Sequence, residues 1–394
     1  MSGWGYTVVP ISASASQATF DAGVLTSSVA YVSNTITPAT LGTKLVATTI
    51  PVLNEEDTFS DEFGFSSTAT TFNSAQINIT NTTHYITSQF PAGALSIFSS
   101  NQPLRYPAGT LGSFTTLAQK IGSGQPSQVY LERADTIYPS GSAPGRRLYL
   151  PWGGNGMDIN TLTASGQTLM KRSIEWALLP LAWYKLDDAS GTTAADSAGS
   201  YNGTLSGATW TTGRKAGGLR FNGSTDYVSI ANATAFQVTG ALTITGWIKQ
   251  TAAFPTGSTV SLILRKGDSN PNNWQLCVAN GKVELLLDGN DGSGIDGNTT
   301  LSINTWYHVA ATWNGATARL YLNGVLDRVP AARAAPIAID ARPVYLGGRI
   351  GSTDVTNGSL DDVRFYNRCL TAAEIAALAK ANPAVMTWQQ APPP

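Results

Sequence analysis

The segment SLDDVRFYNR, residues 359–368, sets two aspartates side by side in what reads as a β-strand. Successive side chains on a strand point to opposite faces. Asp361 then shares a face with Val363 and Phe365, and Asp362 shares the other with Arg364 and Tyr366. This phase puts one carboxylate on the apolar, core-facing side. A buried carboxylate has to be paired, protonated or metal-bound. An ion pair from Asp361 to Lys185, Arg220 or Arg364 is one answer. A calcium ion, which takes roughly six to eight hard oxygen ligands, is the other.

Sugar recognition needs an aromatic ring for the C–H face of the sugar and polar groups for its hydroxyls. In LTITGWIKQ, Trp247 falls on one face with Thr243, Thr245 and Lys249, while Leu242, Ile244 and Ile248 point the other way, to the core. Trp274, in NPNNW, is a second candidate ring. His308 lies between Trp306 and Ala310 on one strand face. The competing readings are tryptophan as sheet cover and histidine as a structural residue.

Three further clusters carry carboxylates or glycines. VLNEEDTFSDEFGF (52–65) holds five carboxylates in eight residues just past a strand ending at Leu53. That is where α/β folds place their sites. The reading preferred here is structural: Asn54 caps a helix, with Glu55, Glu56 and Asp57 in its first turn, where the macrodipole favours negative charge. DGNDGSGIDGN (288–298) offers Asp288, Asp291 and Asp296 to a cation, but a long hairpin loop explains it equally well. GGNGMD (153–158) lacks the lysine of a phosphate loop. For glycoside hydrolysis, Glu284 and Asp288 form only a stretched pair compared with the roughly 5–5.5 Å of retaining enzymes.

The elements that must position these groups divide at Pro180. Before it, short apolar runs alternate with helical or loop stretches: YTVVPI (6–11), SVAYVS (28–33), TIPVL (49–53), QINIT (76–80), LSIFS (95–99), QVYLE (128–132) and RRLYLPW (146–152). TASGQTLMKRSIEWALL (163–179) has the spacing of an amphipathic helix, with Leu169, Ile174 and Leu178 along one side. Mixed strands and helices predict an α/β layer structure. After Pro180 the chain is strand and turn, with Asn-Gly at 202, 222, 280, 314, 323 and 357. Asn-Gly between apolar runs signals hairpins, and many short strands predict a sandwich or jelly roll. LTAAEIAALAK (370–380) closes the unit as a helix with a Thr371/Glu374 capping box.

Composition excludes some partners. Charged residues make up 12% of 394, with a net charge of −1, so no basic surplus answers a nucleic-acid backbone. No apolar run reaches the roughly 20 residues needed to span a membrane. MSGWGYTVV lacks the basic stretch and apolar core of a signal peptide. Cys277 and Cys369 read as free thiols, with one disulfide as the alternative.

WYKLDDASGTTAADSAGSYNGTL, LRFNGSTDYVSI, LTITGWIKQ, TWYHVAATWNGATARLYLNG and LDDVRFYNRCLTAAEIAAL occur in that order. Together they resemble the laminin-G-like, concanavalin A-like jelly-roll family. The resemblance implies two antiparallel sheets, commonly a structural calcium ion, and glycan binding, adhesion or an accessory role on a larger secreted protein. It places an aspartate of the last long strand, here Asp361, in the calcium shell, with Asp196 and Asp187 as further ligands. The first half resembles class I glutamine amidotransferase-like, flavodoxin-like domains, mainly through GRRLYLPWGGNGMDINTLTASGQTLMKRSIEWAL. The family's catalytic cysteine has no counterpart before Cys277, so glutaminase chemistry is out. The family's first strand also lacks a counterpart, which points to a fragment or to another segment filling the gap.

The expectation is therefore a degenerate flavodoxin-like α/β domain (1–179), a jelly roll (180–382) and a tail or linker (383–394). The expected function is calcium-stabilised binding of a polysaccharide or surface glycan in an extracellular, multidomain protein. Trp247, Trp274, Lys249 and His308 are the ligand candidates, and Asp361, Asp196 and Asp187 the metal candidates. The alternatives are a polysaccharide-active hydrolase or lyase and a self-assembling surface protein.

Overall fold

The computed structural model describes residues 1–380 apart from 2, 3, 5, 37, 134, 154–155, 200, 269–271, 290–293, 334–336 and 338. The expected tail at 383–394 and Asp291 lie outside the described residues. Packing divides the chain into two compact units, Met1–Leu179 and Pro180–Pro394.

The first unit holds the helices α1 (Gln17–Thr26), α2 (Pro38–Leu41) and α3 (Ala164–Leu178). Its strands are β1 (Ala30–Val32), β2 (Val52–Asn54), β3 (Ser66–Ser74), β4 (Gln76–Ile79) and β5 (Gly93–Ser96). β6 (Gln102–Leu111), β7 (Thr115–Lys120), β8 (Pro126–Leu131) and β9 (Arg147–Tyr149) complete them. Seven strands form one sheet in the order β1-β2-β9-β8-β7-β4-β5, and β3 and β6 pair as a separate ribbon. Only β1, β2 and β9 run parallel; the rest of the sheet is antiparallel. A doubly wound flavodoxin-like sheet would be parallel across its width. Antiparallel neighbours need no crossover helix, and among the described residues the Ser-, Thr- and Gly-rich stretch between β2 and β9 holds no α-helix. The expected strand at 6–11 is irregular chain.

Alternation along the short strands divides the core of this unit. Leu53, Leu148, Leu169 and Ile174 join one cluster, and Val52, Tyr149, Phe20 and Phe59 join another. α3 starts at Thr163, whose Oγ1 accepts the Gly166 N–H at 3.0 Å. It buries Leu169, Ile174 and Ala177, and Leu178 is half-buried.

The second unit begins with β10 (Ala182–Tyr184), β11 (Thr193–Ala194), β12 (Gly203–Ser206), β13 (Thr209–Thr212), β14 (Gly217–Asn222) and β15 (Tyr227–Ile230). β16 (Leu242–Gln250), β17 (Ser261–Lys266), β18 (Asn272–Ala279), β19 (Lys282–Gly289) and β20 (Ile295–Asp296) follow. β21 (Tyr307–Trp313), β22 (Thr317–Leu322), β23 (Val325–Leu326), β24 (Ala331–Ala332), β25 (Val344–Leu346), β26 (Asn357–Tyr366) and α4 (Ala372–Leu378) end it. A nine-stranded sheet is built on the order β13-β14-β26-β16-β21-β22-β23, with β10 on β26 and β24 on β22. An eight-stranded sheet has the order β11-β12-β15-β25-β17-β18-β19-β20. Every pairing in both is antiparallel.

One apolar core joins the two sheets. Leu242, Ile244, Ile248, Val309 and Phe365 from one meet Trp274, Leu276, Val278, Leu285 and Leu346 from the other. The Asn-Gly turns at 280–281 and 323–324 have both residues at positive φ, as a two-residue hairpin turn requires. At Asn202, Asn222 and Asn314 the amide oxygen instead accepts backbone N–H groups. The Thr371/Glu374 capping box is formed. Cys277 and Cys369 are both free thiols.

Trp274 is part of this core and not a sugar platform. It is fully buried, stacks on Phe365 at 4.6 Å and donates Nε1–H to the Phe236 carbonyl at 3.2 Å. Replacing Trp274 by Ala removes a large ring from between the sheets. We expect a loss of about 3–5 kcal/mol, read as a lower urea midpoint for the unfolding of the second unit; an unchanged midpoint would contradict this packing.

Candidate functional site on the outer face of the nine-stranded sheet

The strand phase that frames Asp361 is broken by a β-bulge. Ile244 and Thr245 of β16 face Phe365 and Arg364, whereas Trp247 and Ile248 face Asp361 and Leu360. Two steps on β16 thus oppose three on β26, and Asp362 takes φ 52°. One extra residue re-aims the side chains on either side of a bulge. Leu360, Val363 and Phe365 all stay in the core. Asp361 turns to the opposite face, beside Trp247. The expectation that Asp361 shares a face with Val363 is therefore corrected, although the side chain is only 1% exposed.

The β13–β14 hairpin answers this carboxylate. Asp361 Oδ2 accepts the backbone N–H groups of Arg214 and Lys215 at 2.7 and 2.8 Å. The Arg214 guanidinium lies 5.0 Å from the centre of the Trp247 ring. Lys215 Nζ pairs with Asp362, which also accepts from Arg364 Nη2 at 2.9 Å and from Trp183 Nε1. The ion-pair expectation is corrected as well. Arg364 serves Asp362, Arg220 bonds to Asn357 and the Phe221 carbonyl, and Lys185 sits over the Trp183 ring.

Trp247 and His308 are direct cross-strand partners with ring centres 5.4 Å apart. His308 is 2% exposed and Trp247 4%. Four buried polar atoms here have no hydrogen-bond partner: Asp361 Oδ1, Trp247 Nε1, His308 Nδ1 and Thr245 Oγ1. Burial sets the electrostatics. It pushes Asp361 up to about 6 against the pull of the Lys215 and Arg214 amides, and the Asp362 and Asp187 charges add to the rise. It pushes His308 down to about 3, with Lys215 and Arg364 adding and Asp362 opposing. Burial also raises Asp362, but Arg364 and Lys215 outweigh it and hold that carboxyl below its ordinary range. His308 is thus neutral near pH 7 and a weak base there.

The next rung of the same face is open to solvent. Lys249 follows Trp247 by two residues, and its Nζ lies 5.2 Å from the Trp306 ring; both residues are half-buried. Trp306 is the site residue that sequence reasoning placed on the correct face without giving it a role. The structure thus gathers Trp247, His308, Asp361 and Lys249 on one face and leaves Trp274 in the core.

Among the described residues the expected calcium ligands do not gather as a three-carboxylate site. Asp196 accepts from the Trp183 and Ala198 N–H groups through Oδ1, at 2.8 and 2.9 Å, and from the Tyr201 N–H through Oδ2 at 3.1 Å. Asp187 is exposed and accepts the Gly217 N–H at 2.7 Å. Each carboxylate is engaged by N–H donors, the opposite of an oxygen cage. Among the described residues no three His, Cys, Asp or Glu side chains gather as a metal site. Asp361, Asp196 and Asp187 are thus each held by N–H groups of the chain, with Asp361 Oδ1 left over. On the eight-stranded sheet, Glu284 Oε2 lies 3.4 Å from the buried Cys277 Sγ.

Residues 222–376 match the family model described as the concanavalin A-like lectin/glucanases superfamily, which supports a concanavalin A-like jelly-roll domain over these residues. The match does not extend to the first unit. Among solved structures, the chain is similar to domain 4 of AbnA, a GH43 extracellular arabinanase from Geobacillus stearothermophilus, at 16% identity and TM-score 0.42, covering 51% of this chain and 98% of that one. It is also similar to the binding domain of Paraclostridial Mosquitocidal Protein 1, at 17% identity and TM-score 0.42, covering 51% and 52%. Trypanosoma rangeli sialidase matches at 17% identity and TM-score 0.41, covering 51% and 32%. The chain thus spans about half of that binding domain and a third of the sialidase. No curated protein matches the chain in sequence.

Opposite pKa shifts in one cluster give opposite pH dependence. Unfolded His308 takes its proton near 6.5 and folded His308 only near 3, so its contribution is lost as pH falls through that window. Folded Asp361 takes its proton near 6 and unfolded Asp361 near 3.8, so its contribution grows as pH falls between them. Relative to wild type, His308→Gln should gain stability on acidification, with a slope of up to roughly 1.4 kcal/mol per pH unit, and Asp361→Asn should lose it. Urea unfolding of the second unit from pH 7 to 4 measures both, and parallel curves for the three proteins would refute the assignment.

Proposed function

We propose that the jelly-roll unit binds carbohydrate on the outer face of its nine-stranded sheet, as a non-catalytic module of a secreted protein. The carrying observation is the half-exposed Trp306 ring beside the Lys249 ammonium, one rung from the buried Trp247, His308 and Asp361. A ring of this kind meets the C–H face of a pyranose, and an ammonium donates to its hydroxyls. The superfamily match over residues 222–376 supports the reading. So does the chemistry beneath the surface: a histidine held near pKa 3 and a carboxylate held by amides stiffen a platform and activate no nucleophile.

Affinity electrophoresis against soluble arabinans, xylans, glucans and sialylated glycans tests this. We expect retardation by at least one polymer, weakened about tenfold or more by Trp306→Ala at an unchanged melting temperature and largely kept by Trp306→Tyr. Aromatic stacking contributes at the 1 kcal/mol scale or above, which is the origin of that factor. Equal retardation of wild type and Trp306→Ala would refute the site, and retardation by none of the polymers would refute the function.

A further inference from the structure

The outer face of the nine-stranded sheet carries three tryptophan rings, and each has a cation against it. Arg364 Cζ and Lys185 Nζ lie 4.1 and 4.3 Å from the centre of the Trp183 ring. Arg214 Cζ lies 5.0 Å from Trp247, and Lys249 Nζ 5.2 Å from Trp306. The rings share one face. Trp183 donates Nε1–H to Asp362, and Trp247 and Lys249 are two residues apart on β16, about 7 Å along the strand. Arg220 belongs to the same rung as Lys249, because both pair with Ser359.

The chain's own carboxylates do not engage all of these cations. Lys215 and Arg364 pair with Asp362. Arg220 bonds to Asn357 and to the Phe221 carbonyl. Among the described residues the side chains of Lys185, Arg214 and Lys249 form no ion pair and no hydrogen bond; each meets only a ring. The nearby acids are already occupied. Asp361 Oδ2 accepts backbone amides, Asp362 is doubly paired, and Asp187 accepts the Gly217 N–H. Around the three rings, Lys185, Arg214, Lys215, Arg220, Lys249 and Arg364 thus stand against Asp187, Asp361 and Asp362, an excess of positive charge on a chain whose net charge is −1.

A cation stacked on an aromatic ring is a positive charge held beside an apolar surface. A sugar lying against that ring meets the charge at its edge. A neutral pyranose offers the cation only hydroxyls. A uronate or a sialate carries a carboxylate directly on a ring carbon, whereas a sulfate ester stands one oxygen further out. Ammonium groups pair with carboxylates as point charges, and a guanidinium binds them through two parallel N–H groups. Trp247, covered by Arg214, and Lys249 follow one another along β16, so a polymer lying along that strand meets both cations. We propose that this face selects an acidic glycan, one whose sugars bear ring carboxylates that pair with Lys249 beside Trp306 and with Arg214 beside Trp247. The proposal rests on the reading of the face as a glycan site and names the class of glycan it takes.

Calorimetric titration of the full chain with glucuronoxylan, the same polymer after reduction of its carboxyl groups, polysialic acid and dextran sulfate tests it. We expect glucuronoxylan or polysialic acid to bind at least about tenfold more tightly than the reduced xylan and more tightly than dextran sulfate. Whichever of the two binds better assigns the uronate or the sialate. The preference should shrink as salt is raised from about 0.1 to 1 M, where screening shortens from about 10 to 3 Å. Lys249→Met and Arg214→Gln should each reduce it about threefold or more, and Lys249→Arg should keep it. Carboxyl reduction alters only the ligand, so that comparison needs no variant to fold. Binding of the reduced xylan as tight as that of both acidic polymers would overturn the acidic class and leave the glycan site standing. Dextran sulfate binding as tightly as the carboxylated polymers, or a preference untouched by both Lys249→Met and Arg214→Gln, would also overturn the proposal. Binding of no polymer would overturn it together with the glycan site.

Discussion

One β-bulge orders the second unit of this molecule. Had β26 kept its phase through Asp361 and Asp362, a carboxylate would sit between the two sheets, against Trp274 and Phe365. The isolated charge would cost several kcal/mol there or force protonation. The extra residue at Asp362, with φ 52°, moves both carboxylates to the outer face and keeps Leu360, Val363 and Phe365 in the core. Asp362 is among the few non-glycine residues here at positive φ, and aspartate tolerates that region better than most residues. The Asp-Asp pair thus supplies the strained position and the outward charges together.

The outward carboxylate then fixes a neighbouring element. Asp361 accepts two consecutive amides at the tip of the β13–β14 hairpin, and Lys215 of the same tip reaches Asp362. Close approach at that tip is permitted by glycine. A side chain at Gly213 would come within 2.8 Å of Asp361 Oδ2 and meet the Gly217 carbonyl. Arg214, carried on the same turn, covers the Trp247 ring. A charge that the sandwich core excludes is thus what closes its outer surface over Trp247 and His308.

Much of this could be read from residue order. The alternation in LTITGWIKQ placed Leu242, Ile244 and Ile248 in the core and Trp247 and Lys249 opposite, and the structure agrees. The Thr371/Glu374 box followed from capping chemistry and the span of α3 from its amphipathic spacing. The phase of β26 was not legible, because a bulge is set by pairing with β16 and leaves no mark in the period of its own strand. Trp274 was misplaced for a related reason: NPNNW looks like a loop, but Asn272 and Asn273 already belong to β18. In the first unit, β3 and β6 were missed because Ser- and Thr-rich strands carry little hydrophobic alternation. The three short parallel strands were found, and so were β4, β5 and β8; β7 and the antiparallel direction of that part of the sheet were not.

The two units handle buried charge in contrasting ways. In the second, Asp361 Oδ2 is answered by amides while its Oδ1 stays unpartnered, Asp362 is answered by Lys215 and Arg364, and Asp196 by the loop it caps. The half-buried Trp306 ring and Lys249 ammonium lie at the rim of this cluster. In the first unit, Glu55 is buried with a phenol and one long amide contact beside an open cavity.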